Sequence, residues 1–356
     1  MNFVFTEEQA MIAETARSFF AEHATSARTR AAMAADGIDH ALWMSFCGEL
    51  GLGGVALPEA HGGSGLGMVE FCTIAEAAGA HVAALPLLGL ATAGQAIAAG
   101  GSDAQRTEWL SALISGEVIA AAQVADGICV ETGKLTGVVE FVPHGAAAAL
   151  FVLAGEGTAW LVRADAPGVT VTMQTTMDQT RPFARIVLDH APAEPLANGA
   201  AAIDPLQAGG WLCLAAEALG GAQATLDRTV CYARDRVQFG RPIGSFQAYK
   251  HRLADMMVAI EQARSAVYWA ACAHDEAAPD GALALHAAKS FCADTFFKCA
   301  GDMIQLHGGI GFTWDHDAHL FFKRARSIQT MLGNGAWHRE QVAAMVLGQD
   351  AMERAA

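Results

Sequence analysis

Arg236-Val237-Gln238-Phe239-Gly240-Arg241-Pro242-Ile243-Gly244-Ser245-Phe246-Gln247 separates two long apolar stretches of helical pattern. Upstream of it, Leu212, Ala215, Leu219, Ala222, Leu226 and Val230 trace one face, while Trp211, Leu214 and Ala218 trace another. A helix that is apolar nearly all round belongs in an interior. Asp204 followed by Pro205 reads as its N-cap and first helical residue. Within the separating stretch, Arg236 can grip a phosphate through two parallel hydrogen bonds. Its glycines let backbone approach a ligand closely. Phe239 offers a flat apolar surface, and Gln247 opens a helix whose first N–H groups favour anions. A plain helix–helix turn with a solvated arginine accounts for the same residues.

Downstream, apolar spacing predicts helices over 246–274, 281–307 and 317–327, with a last one after Trp337. Long helices joined by short turns read as an antiparallel bundle. The second of these runs into Gln305-Leu306-His307-Gly308-Gly309-Ile310-Gly311-Phe312-Thr313-Trp314-Asp315-His316-Asp317. One glycine suffices to end a helix. The additional ones suit backbone packed against a planar or phosphate-bearing ligand, or a wide structural turn. Asp317 reads as the N-cap of the next helix, and Lys323, Arg324 and Arg326 as a solvated face. Trp314 and Trp337 read as core packing or as the lining of a substrate or subunit interface.

Upstream of Asp204 the character changes. Between Gly116 and Asn198, β-branched residues alternate with turn signals. Strands are expected over 148–154, 158–163, 169–173 and 184–188, with a hairpin around Gly133–Gly137. Before Gly116 the chain is helical again. Thr6 and Gln9 form a capping-box pattern, a glycine-rich turn spans 58–67, and a helix follows from Met68 to about Gly79.

The 356 residues are 53% hydrophobic and only 17% charged, enough to bury a large core. The net charge of −15 argues against nucleic-acid partners and anionic membranes. An anionic ligand must then meet a local positive cluster or helix ends. The eight cysteines form no Cys-x-x-Cys pair and read as buried small hydrophobes in a reducing compartment. His61, His81, His144, His251 and His307 show no metal-ligand spacing. The start, Met1-Asn2-Phe3-Val4-Phe5, lacks the basic region and long apolar run of a leader, and no run suits a membrane span. A cytoplasmic location is expected.

The two quoted stretches resemble the acyl-CoA dehydrogenase family of flavoproteins, as do the Thr6-Glu7-Glu8-Gln9 start, the Gly62-Gly63-x-Gly65 turn and the helix–β–helix order. The resemblance covers nearly the whole chain. It implies a mainly α fold with a β insertion: an N-terminal helical domain (1–116), a barrel-like middle β domain (117–198) and a C-terminal four-helix bundle (199–356). It implies FAD as cofactor, with Arg236, Gln238, Phe239, Gly240 and Gln247 on the adenosine pyrophosphate. Gln305, Gly308 and Gly309 would touch the FAD of a neighbouring subunit in a dimer or tetramer. It also implies an acyl-CoA substrate, α,β-dehydrogenation to a 2-enoyl-CoA, and an electron-transfer flavoprotein as electron acceptor. That reaction needs a carboxylate base in a dry pocket and hydrogen bonds to the developing enolate.

The sequence departs from the family at the base. The family's Tyr-Glu-Gly-Thr-like segment is matched by Met331-Leu332-Gly333-Asn334, so Leu332 stands where the glutamate belongs. The alternative base position of some members matches Gly210. The remaining candidates are Glu217 and Asp315. Glu217 lies on the stripe of Gly210 but two turns, about 10 Å, further along the axis, and also reads as a buried acid paired within the bundle. Asp315 also reads as a structural loop acid. In the β domain, the family's Thr-Glu-x-x-x-Gly-Ser-Asp loop is matched only by the shorter Ala121–Gly127, and Phe141-Val142-Pro143-His144 stands near its Trp-Ile-Thr-like strand. Three readings follow: the partner subunit of a heteromer in which a second dehydrogenase-like chain carries the base, a homo-oligomer with an unusual base, or a scaffold that binds neither flavin nor substrate.

Overall fold

A computed structural model describes residues 4–348; Met1-Asn2-Phe3 of the expected leaderless start and residues 349–356 of the expected bundle lie outside the described residues. The helices α1 (Glu7–His23), α2 (Ser26–Met33), α3 (His40–Met44), α4 (Met68–Ala80), α5 (Leu87–Gly89), α6 (Gln95–Gly100) and α7 (Asp103–Ile114) come first. Eight strands follow: β1 (Ala120–Val124), β2 (Cys129–Glu131), β3 (Lys134–Pro143), β4 (Leu150–Gly155), β5 (Thr158–Arg163), β6 (Val169–Gln174), β7 (Phe183–Pro192) and β8 (Glu194–Pro195). The chain closes with α8 (Gly199–Asp235), the two-residue strands β9 (Val237–Gln238) and β10 (Arg241–Pro242), α9 (Gln247–Asp275), α10 (Gly281–His307), α11 (Ala318–Thr330) and α12 (Gly335–Leu347).

By contact the chain forms two compact units. One gathers the start through Ser26, Cys72–Ala83 and everything from Leu214 on; the other takes Ala27–Phe71 and Ala84–Cys213.

In the first unit, α1 opens with the expected capping box. The Thr6 hydroxyl accepts from the Gln9 amide at 3.1 Å, and the Gln9 side chain accepts from the Thr6 amide at 3.0 Å. The centre of the unit is α10. Ala284, Ala288, Cys292, Phe296, Ala300 and Met303 recur every three or four residues and are all buried, so α10 packs against α9, α11 and α12.

In the second unit, two four-stranded sheets run in the orders β1-β4-β5-β8 and β2-β3-β7-β6. Phe151, Leu153, Trp160 and Val162 of the first and Leu135, Val139, Val142, Ile186 and Leu188 of the second share one core. The expected strands and hairpin are present. β1 is additional and pairs in parallel with β4; its Ala-rich start carries no β-branched signal before Val124.

The start of α8 differs from expectation. The helix begins at Gly199, with the Asn198 side chain accepting from the Ala201 amide at 3.4 Å, and Pro205 lies inside it. The preceding alanines are strong helix formers, so one missing N–H does not start the helix afresh. Among the described residues no helix is long and apolar enough to cross a membrane, and no cluster of His, Cys, Asp and Glu could hold a metal ion.

Candidate functional site

Where α8 ends, the chain makes a tight hairpin instead of a simple turn. β9 and β10 pair antiparallel, Gln238 opposite Arg241 and Val237 opposite Pro242. Phe239 and Gly240 join them at φ 54° and 74°. Two successive left-handed residues make a loop that favours Asn-Gly, because a phenylalanine there carries about 1 kcal/mol of strain. Phe239 is 91% exposed, and its ring meets only the edge of Phe246, with centroids 6.3 Å apart. Arg241 lies over the Phe246 ring at 4.0 Å. The exposed Arg236 guanidinium has no ion-pair partner among the described residues. The α9 N-terminus has no side-chain cap; the Tyr249 and Lys250 amides turn back onto the Phe246 carbonyl, so only the first amides of the helix remain for a ligand. In a chain of net charge −15, exposed arginines beside free helix amides form the kind of donor set that a pyrophosphate fits.

The glycine bend follows α10. Gln305 is exposed, Gly308 takes φ 63°, and a short 3-10 turn runs over Gly308–Phe312. A Cβ added at Gly308 or Gly309 would meet nothing within 4 Å. This backbone is therefore bare toward the outside, not packed on its own chain. Phe312 and Trp314, 86% and 65% exposed, flank the bend. Trp314 was expected in the core; it is covered on one side by Lys323, whose ammonium lies 4.0 Å from the ring centre.

Two half-buried contacts tie the bend to the residues flanking the hairpin. The Tyr249 hydroxyl on α9 donates to the Leu306 carbonyl at 2.9 Å. The Tyr232 ring on α8 stacks on His307 with centroids 4.5 Å apart and planes 22° apart. His307 Nδ1 donates to the Met303 carbonyl at 2.8 Å. Burial pushes Tyr249 up to about 12, and burial lowers His307 against the opposing effect of that carbonyl. Both side chains thus stay neutral near pH 7 and act as struts. Neither was singled out from the sequence. The signal was available, since two of only three tyrosines flank the hairpin.

The candidate bases stand in surroundings unsuited to proton abstraction. Glu217, 4% exposed, is ion-paired with Arg324, 1% exposed. It can accept a proton only by giving up that pair in a dry interior. Arg324 was expected on a solvated face; it is inside because Glu217, far away in sequence, supplies its countercharge. Asp315 is exposed, the opposite of a dry pocket. Asp317 occupies the N-cap position of α11, but its carboxylate does not cap it: the oxygens take Ser26 Oγ at 2.5 Å and Arg228 at 3.2 Å.

The turn of Met331–Asn334 is strained and strongly held. Leu332 has φ 49° and is half-buried. Asn334 caps α12 by accepting from the Trp337 amide at 2.9 Å. Lys289, fully buried, donates to the carbonyls of Ile328 at 3.0 Å and Gly333 at 3.3 Å. A lone lysine within Ala287-Ala288-Lys289-Ser290-Phe291 was the overlooked sign that something on this apolar helix needs a cation.

In the second unit, the stretch 121–127 forms most of β1 and then the start of a turn. The ladder of β3 on β7 shifts register between Val139 and Val142. That bulge throws Phe141 outward, at φ 56° and 58% exposed. Bulges commonly re-aim a side chain beside a functional site.

Residues 6–117 match the family model of the acyl-CoA dehydrogenase N-terminal domain, and residues 202–347 that of the acyl-CoA dehydrogenase C-terminal domain. The chain is 38% identical to the Mycobacterium tuberculosis protein named acyl-CoA dehydrogenase IpdE2, over 92% of this chain and 93% of that one. Among solved structures it is similar to the Tcur3481-Tcur3483 steroid ACAD G363A variant, with a TM-score of 0.89 at 32% identity, covering 97% of this chain and 99% of that one. It is also similar to the ChsE4-ChsE5 complex from Mycobacterium tuberculosis, with a TM-score of 0.90 at 27% identity, covering 98% and 100%.

Proposed function

The chain belongs to the acyl-CoA dehydrogenase family of oxidoreductases, and from that premise we propose that it serves FAD-dependent α,β-dehydrogenation of a bulky acyl-CoA thioester as the subunit that lacks the base. A second dehydrogenase-like chain supplies the carboxylate that removes the α-proton. The observation that carries this reading is the pairing of a bare flavin-type clasp with an apolar residue at the base position. Among the described residues Arg236 is exposed with no ion-pair partner, and a side chain added at Gly308 or Gly309 would meet nothing. Leu332 cannot accept a proton, Glu217 is committed to Arg324 and Asp315 lies in water.

FAD, when bound, accepts the hydride from the β-carbon. In this chain, Arg236 and the Gln247 end of α9 bind the pyrophosphate, and Gln238 and Phe239 position the adenosine end. Gln305, Gly308 and Gly309 approach the flavin belonging to a neighbouring subunit. The named two-chain and steroid ACAD relatives support a heteromer and a bulky substrate. An electron-transfer flavoprotein removes the electrons.

The test is co-purification from the native host, followed by FAD-to-chain stoichiometry and acyl-CoA dehydrogenation by this chain alone and with its mate. Flavin in the assembly and turnover only with the mate are expected. Turnover by this chain alone would overturn the missing-base reading, and a colourless assembly that stays empty when offered FAD would overturn the flavin reading.

A further inference from the structure

A left-handed leucine is an unusual thing to keep. Leu332 at φ 49° carries about 1 kcal/mol of backbone strain, and such strain persists only where the surroundings over-determine the chain. Here three carbonyls of the turn are held from inside. Lys289 Nζ reaches those of Ile328 and Gly333, placing a cation on the last turn of α11, where a helix favours one. His338 Nε2 lies 3.1 Å from the carbonyl of Leu332. A carbonyl only accepts, so Nε2 carries the proton. His338 Nδ1 lies 2.8 Å from His286 Nδ1.

Burial, with smaller contributions from the charges of Lys289 and His286, pushes His338 down to about 3, so the ring is neutral and its Nδ1 accepts. The proton between the two rings then sits on His286. The result is a directed chain, His286 to His338 to the Leu332 carbonyl, alongside the Lys289 pair. His338 and Lys289 are both 0% exposed. Gly333 completes the fit: it has φ 95°, and a Cβ there would lie 2.5 Å from the Trp337 ring.

We propose that Lys289 and His338 are positioning residues for position 332, holding its backbone in a base-presenting geometry that this chain keeps although the base itself is gone. The inference rests on the reading of 332 as the family's base position. Side chain and geometry are separable here: the clamp works entirely through main-chain carbonyls, so it is indifferent to what residue 332 is. A glutamate at 332 would therefore be aimed as the turn already aims leucine.

The clamp is tested by amide hydrogen exchange on the intact protein. Lys289→Met and His338→Leu should speed exchange at residues 332–335 at least tenfold while the middle of α10 keeps its protection. His338→Gln, whose side-chain amide can still donate to the Leu332 carbonyl, should restore the slow rates. Unchanged exchange in the turn, or His338→Gln as loose as His338→Leu, overturns the positioning role. The histidine pair of variants decides this even if Lys289→Met does not fold. The second arm uses Leu332→Glu in the FAD-loaded assembly whose mate has its own base carboxylate changed to the amide, with octanoyl-CoA and a steroid side-chain CoA thioester. Turnover at the new carboxylate that falls at least tenfold when Lys289→Met is added is expected; an inert Leu332→Glu overturns the base-ready geometry. Failure of the functional reading shows separately, as a wild-type assembly that takes up no FAD.

Discussion

Phe239 and Leu332 both stand in the left-handed region, at φ 54° and 49°, and their surroundings are otherwise opposite. Around Leu332 the strain is met from within: a buried histidine binds the Leu332 carbonyl itself, and a buried lysine binds those of Ile328 and Gly333. Around Phe239 its own chain offers little beyond the edge of the Phe246 ring. The Phe239 ring is almost wholly exposed, and Gly240 beside it faces open space. A strained turn that its own chain secures is complete when folded. One that its own chain leaves bare is open to a ligand or a second chain. On the proposed reading, the same chain keeps a finished platform without its reactive group and a clasp that the cofactor tail and a second subunit complete.

The largest expected effect tests the buried side. Arg324→Ala removes one partner of a buried ion pair and should cost about 3–5 kcal/mol, read as a fall in the denaturation midpoint. Glu217→Gln removes the charge but keeps an acceptor, and should leave dehydrogenation by the assembled enzyme unchanged. Loss of turnover with flavin retained would make Glu217 the base and collapse the contrast drawn here.

An effect of intermediate size tests the exposed side. Arg236→Ala should weaken FAD binding roughly tenfold to a hundredfold, the scale of one charged hydrogen-bond donor. Stability should stay within about 0.5 kcal/mol, because Arg236 has no ion pair to lose. Flavin fluorescence titration and a urea curve on the same sample separate the two. A variant that keeps full flavin affinity would mean that the guanidinium is merely solvated.

Much of the architecture could be read from local pattern. Helical spacing in 281–307 matches α10 to the residue, and strands 158–163 and 169–173 were marked by β-branched residues between turns. What escaped was whatever depends on distant neighbours or on a loop that breaks its own preference. Arg324 looks like surface until Glu217 is beside it, 107 residues earlier in the chain. β1 reads as helix or loop because three alanines open it, and only β4 alongside makes it a strand. The hairpin of 237–242 escapes a local reading, because Phe-Gly is not the pair such loops favour. The positions proposed for the clasp are conspicuous for the opposite reason: they are glycines and an arginine that no local structure requires.

The smallest effect is the most discriminating. Phe239→Asn puts the favoured Asn-Gly pair into the hairpin and relieves the left-handed strain, since asparagine tolerates φ near 54° far better than phenylalanine. With so little of the ring buried, there is almost no packing to lose. The isolated chain should therefore become more stable by about 0.5–1 kcal/mol, measured as a shift in the urea midpoint at constant slope. The same substitution should lower flavin affinity or weaken association with the mate, because the exposed ring is then no longer available as a contact. A ring kept at the expense of stability, and missed only on binding, is the signature of a residue whose partner lies outside its own chain. If stability falls instead, Phe239 is held by contacts of its own unit, and the difference between its turn and that of Leu332 is one of degree.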